Sequence, residues 1–306
     1  MLTTHDWVGL LCLLKEREPR AKTKRDEVDY PWWTMVGLAL WNAANRCPLR
    51  WTALQLQQEG WPKAFRKVLP RKLRRRIPDA STLSRRWRSE TCEELLRKLQ
   101  ERLAQPTLFG AIDGFVLPVG SHTQDLFAKF GGPGTSFQKA YKAVRLVNHL
   151  GQACRTEIAS GNTHEVPLAK QLLESLSGGR RFKRVAGDTA YDAEELRRLT
   201  FEATGGFLLA PVQRRGRGPT RGRRMTTRRG PYRQKALRLQ RTAWGKYWMS
   251  QRGIVERSNG WLRQWPHELG RLPSFIRGPI RTLRWVLCHE VLCSYRKLVR
   301  MKAKAV

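Results

Sequence analysis

The sequence predicts an α/β fold, with a mixed five-stranded sheet and flanking helices, preceded by an all-α N-terminal domain. Up to about residue 105, apolar residues recur at helical spacing, with proline and glycine between the segments. From Leu108 onward, runs of strand length appear in the order three strands, helix, strand, helix, strand. Pro106 separates the two patterns, so we assign residues 1–105 to the first domain and 106–306 to the second.

The first domain contains a helix of the kind found in helix-turn-helix DNA-binding proteins. A dense basic cluster, Arg71–Arg76, precedes it, and Asp79 or Ser81 can cap its N-terminus. Leu83 and Trp87 fall on its inward face. The outward face is basic and suits a major groove, with Arg85, Arg86 and Arg88. The alternative is an ordinary amphipathic helix with a solvated basic face.

The second domain begins with strands of alternating or continuous apolar character. The first three are expected to pair antiparallel, because they follow one another closely with turns between them. Two helices, 165–176 and 193–203, separate the later strands. The five predicted strands are Leu108–Val119, Ala140–Leu150, Ala153–Ala159, Phe182–Gly187 and Gly206–Val212.

The part of the chain that follows the fifth strand is strongly basic. Ten of the residues 213–235 are Arg or Lys and no apolar periodicity survives, so we predict a basic loop over 213–250 that orders on nucleic acid, with Arg223 and Arg224 as DNA contacts. The alternative is a solvated linker. A helix over 254–265 comes next, and an apolar helix over 280–298 is expected to cover the second domain.

The charge of the chain predicts a polyanionic partner. Lys and Arg number 59 against 25 Asp and Glu, a formal net charge of +34. These basic residues run through the whole chain, which favours extended contact with phosphate backbones. A membrane-surface protein and a ribosome-like basic protein are the alternatives. The six cysteines form no C-x-x-C pair, which argues against a zinc site.

The chain shows no sign of secretion or membrane insertion. Asp6 interrupts the start, where no basic leader precedes the apolar run, and no apolar run approaches the ~20 residues that span a bilayer. We therefore expect a cytoplasmic, reduced protein without a membrane partner.

Three acidic residues stand in contexts that suit catalysis. Asp113 interrupts the first apolar strand, Asp188 follows the fourth, and Glu256 lies on the late helix. Such a set can hold two Mg²⁺ ions for phosphoryl transfer, because Mg²⁺ prefers oxygen ligands. Taken alone, Asp113 is equally a satisfied buried aspartate or a turn with Gly114. Four other acids have structural explanations, although Asp125 could substitute as a ligand: Asp125, Glu165, Asp192 and Glu194.

Several short motifs in residues 108–265 resemble the catalytic domain of DDE transposases of bacterial insertion sequences, which share the RNase H-like fold. Those motifs are AIDG at 111–114, SGNTHE at 160–165, GDTAYD at 187–192 and the spacing Arg252-x₃-Glu256-x₆-Arg263. Two positions differ from the family pattern, since Met249 replaces its usual Tyr and Arg263 its usual Lys. The short stretch before the acidic helix leaves no room for the inserted β-domain of some relatives.

The resemblance implies a transposase that binds the terminal inverted repeats of its element, cuts there and joins 3′-OH ends to target DNA. Asp113, Asp188 and Glu256 would be catalytic and hold two Mg²⁺ ions, with Mn²⁺ as a substitute. Arg252 and Arg263 would contact phosphates, and Tyr191 would orient DNA. The chain would act as a homodimer on double-stranded DNA at the bacterial nucleoid. The rivals are an RNase H-like nuclease without strand transfer and an inactive DNA-binding repressor or transposase remnant.

Overall fold

The computed structural model describes residues 2–18, 30–119, 124–131, 138–176, 182–212, 230–264 and 269–304. The chain forms two compact units, which we name the helical unit and the sheet unit. The helical unit comprises Met1–Ala104, Leu117–Lys129 and Trp261–Val306. The sheet unit comprises Gln105–Val116 and Phe130–Gly260.

The elements follow one another along the chain with little interruption. The N-terminal helices are α1 Thr4–Glu16, α2 Trp32–Asn45, α3 Leu49–Glu59, α4 Lys63–Val68, α5 Arg71–Arg74, α6 Ala80–Arg88 and α7 Glu90–Leu103. The strands are β1 Phe109–Pro118, β2 Lys129–Gly131, β3 Gln138–Asn148, β4 Ala153–Ser160, β5 Arg184–Ala186 and β6 Phe207–Leu209. The later helices are α8 Glu165–Glu174, α9 Glu194–Thr204, α10 Pro231–Arg241, α11 Ala243–Ser250, α12 Gly253–Arg263 and α13 Pro279–Lys304.

Local sequence signals set the ends of several helices in the helical unit. Thr3 and Asp6 form a capping box at the start of α1, with each side chain bonded to the other's backbone N–H. Asp79 caps α6 by accepting a hydrogen bond from the Thr82 N–H, and Leu83 and Trp87 are buried as the sequence predicts. Helix α6 therefore has an apolar face, with Leu83 and Trp87, on the core and a polar, basic face outside.

The C-terminal helix α13 belongs to the helical unit, where it packs on α7 and α2. These compact units do not follow the expected division at residue 105, in which α13 would belong with residues 106–260. Two buried polar contacts join α13 to α7: Gln100 donates to Glu290 over 2.5 Å, and Arg284 Nε lies 3.6 Å from Glu93. An apolar helix indicates that it is buried but not which surface buries it, which is why the partner was missed.

The sheet unit is built on a mixed sheet with the strand order β2-β3-β1-β5-β6, and β4 pairs with β3 outside this path. β3 and β4 are antiparallel, whereas β1 pairs parallel with β5 and β5 parallel with β6. All five predicted strands are present in the predicted order, so the mixed α/β fold class is confirmed. The short strand β2 is an addition that the sequence did not indicate.

Two helices occupy a stretch that was predicted as loop. Residues 230–250 form α10 and α11, while residues 213–229, with Arg223 and Arg224, lie outside the described residues. Pro231 is the first residue of α10, and the Thr242 side chain caps α11 by accepting from the Gly245 N–H. Trp248 anchors α11 by stacking on Phe109 of β1 at 5.1 Å between ring centroids.

No helix among the described residues combines the length and the apolar character that crossing a bilayer requires.

Candidate active site on the central strands

Asp113 lies on β1, and Asp188 directly follows the neighbouring strand β5. β1 and β5 pair in parallel with Ala111 opposite Ala186. Asp113 lies two residues beyond Ala111 on β1, and Asp188 lies two residues beyond Ala186, just after the end of β5. Because paired strands are about 4.8 Å apart, the two acids come close together. Asp188 also caps the 3₁₀ turn Thr189–Tyr191 by accepting from the Ala190 N–H over 2.8 Å. Sheet register therefore brings together two acids that are far apart in sequence.

The Asp113 carboxyl is half-buried near other acids, and its pKa is strongly raised. Its pKa is raised from 3.8 to about 7, first by burial and then by the nearby charges of Asp188 and Glu165. The Gly114 N–H and the Arg252 guanidinium act in the opposite direction, but they do not offset the burial. The site thus concentrates negative charge where solvent screens it poorly.

Glu165 is a third acid near this pair, and sequence reasoning missed it. It is the first residue of α8, and its carboxylate lies against Gly114: a Cβ built on Gly114 would be 2.7 Å from the Glu165 Cδ. The Tyr191 hydroxyl donates to Glu165 Oε2 over 3.2 Å. The signal was present in the SGNTHE motif, but a glutamate at a helix N-terminus has an ordinary structural explanation.

Helix α12 is fastened to the sheet unit next to Asp113. Asn259 donates from Nδ2 to the Asp113 carboxylate over 3.2 Å. Arg145 of β3, which is buried, donates to Asn259 Oδ1 over 2.6 Å and to the Ser258 hydroxyl over 3.3 Å. Ser258 in turn donates to the Gly151 carbonyl over 2.8 Å. These bonds fix both the position and the rotation of α12.

Glu256 lies on the same face of α12 as Asn259, because residues three or four positions apart are neighbours on a helix surface. Its side chain is 53% exposed and pairs with Arg252, with 2.7 Å between Nη2 and Oε1. The charge of Arg252 acts on Asp113, where it opposes the rise in the pKa of that carboxyl. The structure therefore brings the face that carries Glu256 towards Asp113, while the Glu256 carboxylate itself is turned to Arg252.

The acids suit a divalent metal ion in charge and in ligand type, although the geometry is not that of a closed site. Asp113 and Asp188 present hard oxygen donors in a half-buried place where a cation would relieve their repulsion. Among the described residues, no group of three His, Cys, Asp or Glu is arranged to hold a metal. The donor types of the two aspartates fit a divalent cation, and Glu256 is paired with Arg252.

The other residues predicted to touch DNA have varied positions. Tyr191 is fully buried, and its hydroxyl donates to Glu165. Arg263 is exposed at the end of α12. Arg85 and Arg88 are exposed on α6, whereas Arg86 is half-buried, with its guanidinium 4.2 Å from the ring centre of Trp32.

The remaining acids that the sequence raised have structural partners. Asp125 is buried and accepts from the Gly278 N–H over 2.9 Å. Asp192 pairs with buried Arg197 at 2.7 Å. Glu194 accepts from two backbone N–H groups at the start of α10, which makes it a cap for that helix. These contacts account for the three acids without a metal.

Comparison with known proteins identifies the family. The model of the transposase DDE domain matches residues 104–278, a stretch that contains Asp113, Asp188 and Glu256. A comparison with curated protein sequences gives no match. The cryo-EM structure of a piggyBac transposase synaptic complex with hairpin DNA is similar at a TM-score of 0.44 and 12% identity, covering 98% of this chain and 73% of that one. The resemblance read from the sequence motifs is confirmed by the family match, and the chain belongs to the transposase DDE domain family of metal-dependent polynucleotidyl transferases.

Proposed function

We propose that this protein is the transposase of a bacterial insertion sequence. It binds the terminal inverted repeats of its element, cleaves phosphodiester bonds there with Mg²⁺, and joins the resulting 3′-OH ends to target DNA. The observation that carries the proposal is the pair of Asp113, on β1, and Asp188, directly after the parallel strand β5, next to a helix that carries Arg252, Glu256 and Asn259.

In this proposal the metal site consists of Asp113, Asp188 and Glu256. Two Mg²⁺ ions, or Mn²⁺ in their place, would activate the attacking oxygen and stabilise the leaving oxygen at the scissile phosphate. The raised pKa of Asp113 supports this role, because a carboxylate pair that is costly to ionise alone gains the most from a bound cation.

The residues of the chain position these acids and the DNA. Asn259 and Arg145 hold Asp113 and α12 in register through a chain of hydrogen bonds. Arg252 keeps Glu256 in place before the ions arrive and is then available to a phosphate oxygen. Arg263, exposed at the end of the same helix, would contact a neighbouring phosphate.

Two further surfaces suit double-stranded DNA. The outer face of α6 would contact a terminal repeat through the exposed Arg85 and Arg88, with Arg86 beside them. On α11, the exposed aromatic residues Trp244 and Tyr247 lie close to the exposed Lys246, a combination typical of nucleic-acid surfaces. The two ends of an element have to be cut together, so we expect a homodimer on DNA with one protomer at each end.

The test is a cleavage and joining reaction with the full chain. The substrate is a labelled duplex carrying the inverted repeat found in the DNA that flanks the gene, together with a target plasmid. With Mg²⁺ the parent chain is expected to cut at the repeat and to insert the labelled 3′ end into the plasmid. Asp113→Asn, Asp188→Asn and Glu256→Gln should each lower both products by about 10³-fold or more, as removal of one member of a catalytic set does.

The same variants should bind the duplex with nearly unchanged affinity in a gel-shift assay. Glu202→Gln, an exposed acid on α9 paired with Arg198, is the matched control and should leave all products unchanged. Cutting without joining by the parent chain would identify a nuclease. Binding without any cutting, unaffected by Asp188→Asn, would identify a repressor and refute the proposal.

A further inference from the structure

The space above Gly114 is filled by the carboxylate of Glu165. A Cβ placed on Gly114 would lie 2.7 Å from Cδ of Glu165, and 2.8 and 3.0 Å from its two oxygens. Real Cβ atoms do not approach other groups so closely, so an alanine at position 114 would push the Glu165 carboxylate, the end of a flexible side chain, out of this place. The glycine of the AIDG motif is explained by this contact, not by a turn, since β1 continues through it to Pro118.

Three features hold the Glu165 carboxylate in this place. Tyr191, fully buried, donates its hydroxyl to Oε2 over 3.2 Å. Lys142 of β3 approaches Oε1 at 3.9 Å, near the limit of an ion pair. His164 caps α8 by accepting from the Val166 N–H, which fixes the first turn of the helix that carries Glu165. The carboxylate is therefore held from two sides, against the residue that follows Asp113.

Of these contacts, only the approach of Lys142 at 3.9 Å depends on the charge of Glu165. A glutamine would accept the same hydrogen bond from Tyr191 and fill the same space. The negative charge of Glu165 lies against Gly114, the residue that directly follows Asp113 on β1. A charge that disfavours its neighbours' charges is costly without a counter-ion and useful with one.

We infer that Glu165 is a fourth acidic residue of the metal centre, and that Gly114 and Tyr191 are the residues that place it there. Glu165 strengthens the binding of a divalent cation at the Asp113–Asp188 pair by adding negative charge next to it. The inference rests on the proposed function, because it assumes that these aspartates bind a cation.

The experiment measures Mn²⁺ binding to the full chain without DNA, by electron paramagnetic resonance of free Mn²⁺. Glu165→Gln should weaken Mn²⁺ binding by about 10–100-fold, the range found when partners of metal ligands are removed. Glu165→Asp, which keeps the charge, should recover part of the loss. Glu174→Gln is the matched control, because Glu174 lies on the same helix but is exposed and 4.0 Å from Lys170.

A double-mutant cycle tests the role of Gly114. Gly114→Ala should weaken Mn²⁺ binding in the parent chain because the added methyl group displaces Glu165. In a Glu165→Gly background the clash is absent, so the same substitution should have little further effect. Tyr191→Phe should weaken binding less than Glu165→Gln, since it removes the hydrogen bond but not the charge.

The outcomes separate the inference from the proposed function. If Asp113→Asn abolishes Mn²⁺ binding while Glu165→Gln binds as tightly as the parent chain, the inference is overturned and the proposed site stands. If the parent chain itself binds no Mn²⁺, the proposed metal site is refuted together with the inference. Thermal unfolding of each variant shows whether it is folded. If Glu165→Gln does not fold, the Mn²⁺ affinity of Glu165→Asp decides whether Glu165 contributes to the site.

Discussion

Asp113 is the residue at which burial and like charge act together. Its pKa is raised to about 7 in the folded protein, against an ordinary value of 3.8. Between these two pH values the folded chain retains a proton that the unfolded chain has released. Stability falls with rising pH wherever the folded state binds more protons than the unfolded state. The metal-free protein therefore loses stability as pH rises through this window.

Asp113→Asn should remove this pH dependence. Between pH 5 and pH 8 the metal-free parent chain is expected to lose about 2 kcal/mol, less than the full shift corresponds to because solvent screens a part-exposed group. The variant, which cannot ionise, should lose much less and should be the more stable chain at pH 8. Urea unfolding in EDTA at the two pH values measures both free energies. If both chains lost the same free energy of unfolding between pH 5 and pH 8, Asp113 would not be the source of the pH dependence.

Asn259 connects the acid pair to the buried Arg145. Asn259→Leu removes an acceptor that lies 2.6 Å from the Arg145 guanidinium and a donor to Asp113. The free energy of unfolding should fall by about 1–3 kcal/mol, because a buried charged group loses one of its hydrogen bonds. Urea denaturation of the variant and the parent chain at pH 7 gives the difference.

A second substitution at the same position separates stability from chemistry. Asn259→Asp keeps the acceptor for Arg145, so most of the stability should remain. It replaces the donor to Asp113 with a repelling carboxylate, so DNA cleavage should still be strongly reduced. If Asn259→Asp were as active as the parent chain, the hydrogen bond to Asp113 would have no part in positioning it.

At the scale of elements, the sequence predicted those helices and strands that have a regular apolar pattern. The strand that carries Asp113 was recognisable because its apolar run is interrupted by a single acid, and β5 and α8 followed from the same kind of pattern. The helix α10 was missed because Arg and Lys recur along it and only Ala236 and Leu237 are buried. The helix α11 was missed because it is short and only Gly245 of it is buried. Their caps, Pro231 and Thr242, were visible in the sequence, but without an apolar stripe they carried little weight.

The candidate site shows the same division. The motifs were sufficient to name Asp113, Asp188 and the helix of Glu256 as candidates. They did not indicate which residues hold these candidates in position. The contact between Glu165 and Gly114 joins two motifs that lie far apart in the chain, and the bond between Asn259 and Arg145 joins α12 to β3. Such pairs depend on sheet order and helix rotation, which one sequence does not specify.

The basic face of α6 is the element on which DNA affinity is expected to depend. Arg85→Ala with Arg88→Ala should weaken binding to the element end. The slope of log affinity against log salt should fall by about 1 for each phosphate group that the variant no longer binds. Stability should change by less than about 0.5 kcal/mol per substitution, because both side chains are exposed.

Fluorescence anisotropy over a range of salt concentrations measures the slope for this variant. Lys98→Ala, an exposed residue on the neighbouring helix α7, is the control of equal charge type. An unchanged slope in the α6 variant would mean that this face is only solvated, as the alternative interpretation of the sequence held.

On the scale of the whole molecule, both ends of the chain build one unit. Thirteen residues of α13 are buried in the helical unit, from Thr282 to Tyr295, and they include Leu287, Val291 and Leu292. These side chains complete a core to which α2 and α7 contribute Val36, Leu95 and Leu99. The first hundred residues therefore contain only part of the core that they need.

A chain that ends before α13, at Gly278, should fail to fold its helical unit. Full burial of one large apolar side chain contributes about 1.5–3 kcal/mol, so the loss of several exceeds the 5–15 kcal/mol by which ordinary domains are stable. A chain that ends at Arg300 removes only exposed residues of α13 and is the control. Circular dichroism and limited proteolysis should show rapid cleavage before residue 104 in the first chain and parent-like protection in the second.

This expectation also bears on the repressor alternative, which relied on the basic N-terminal part alone. If the helical unit requires α13, the isolated segment 1–104 should neither fold nor bind the element end, and any repressor form would have to include the C-terminus. A 1–104 fragment that unfolds cooperatively and binds the inverted repeat with the affinity of the full chain would contradict this, because its core would then be complete without α13.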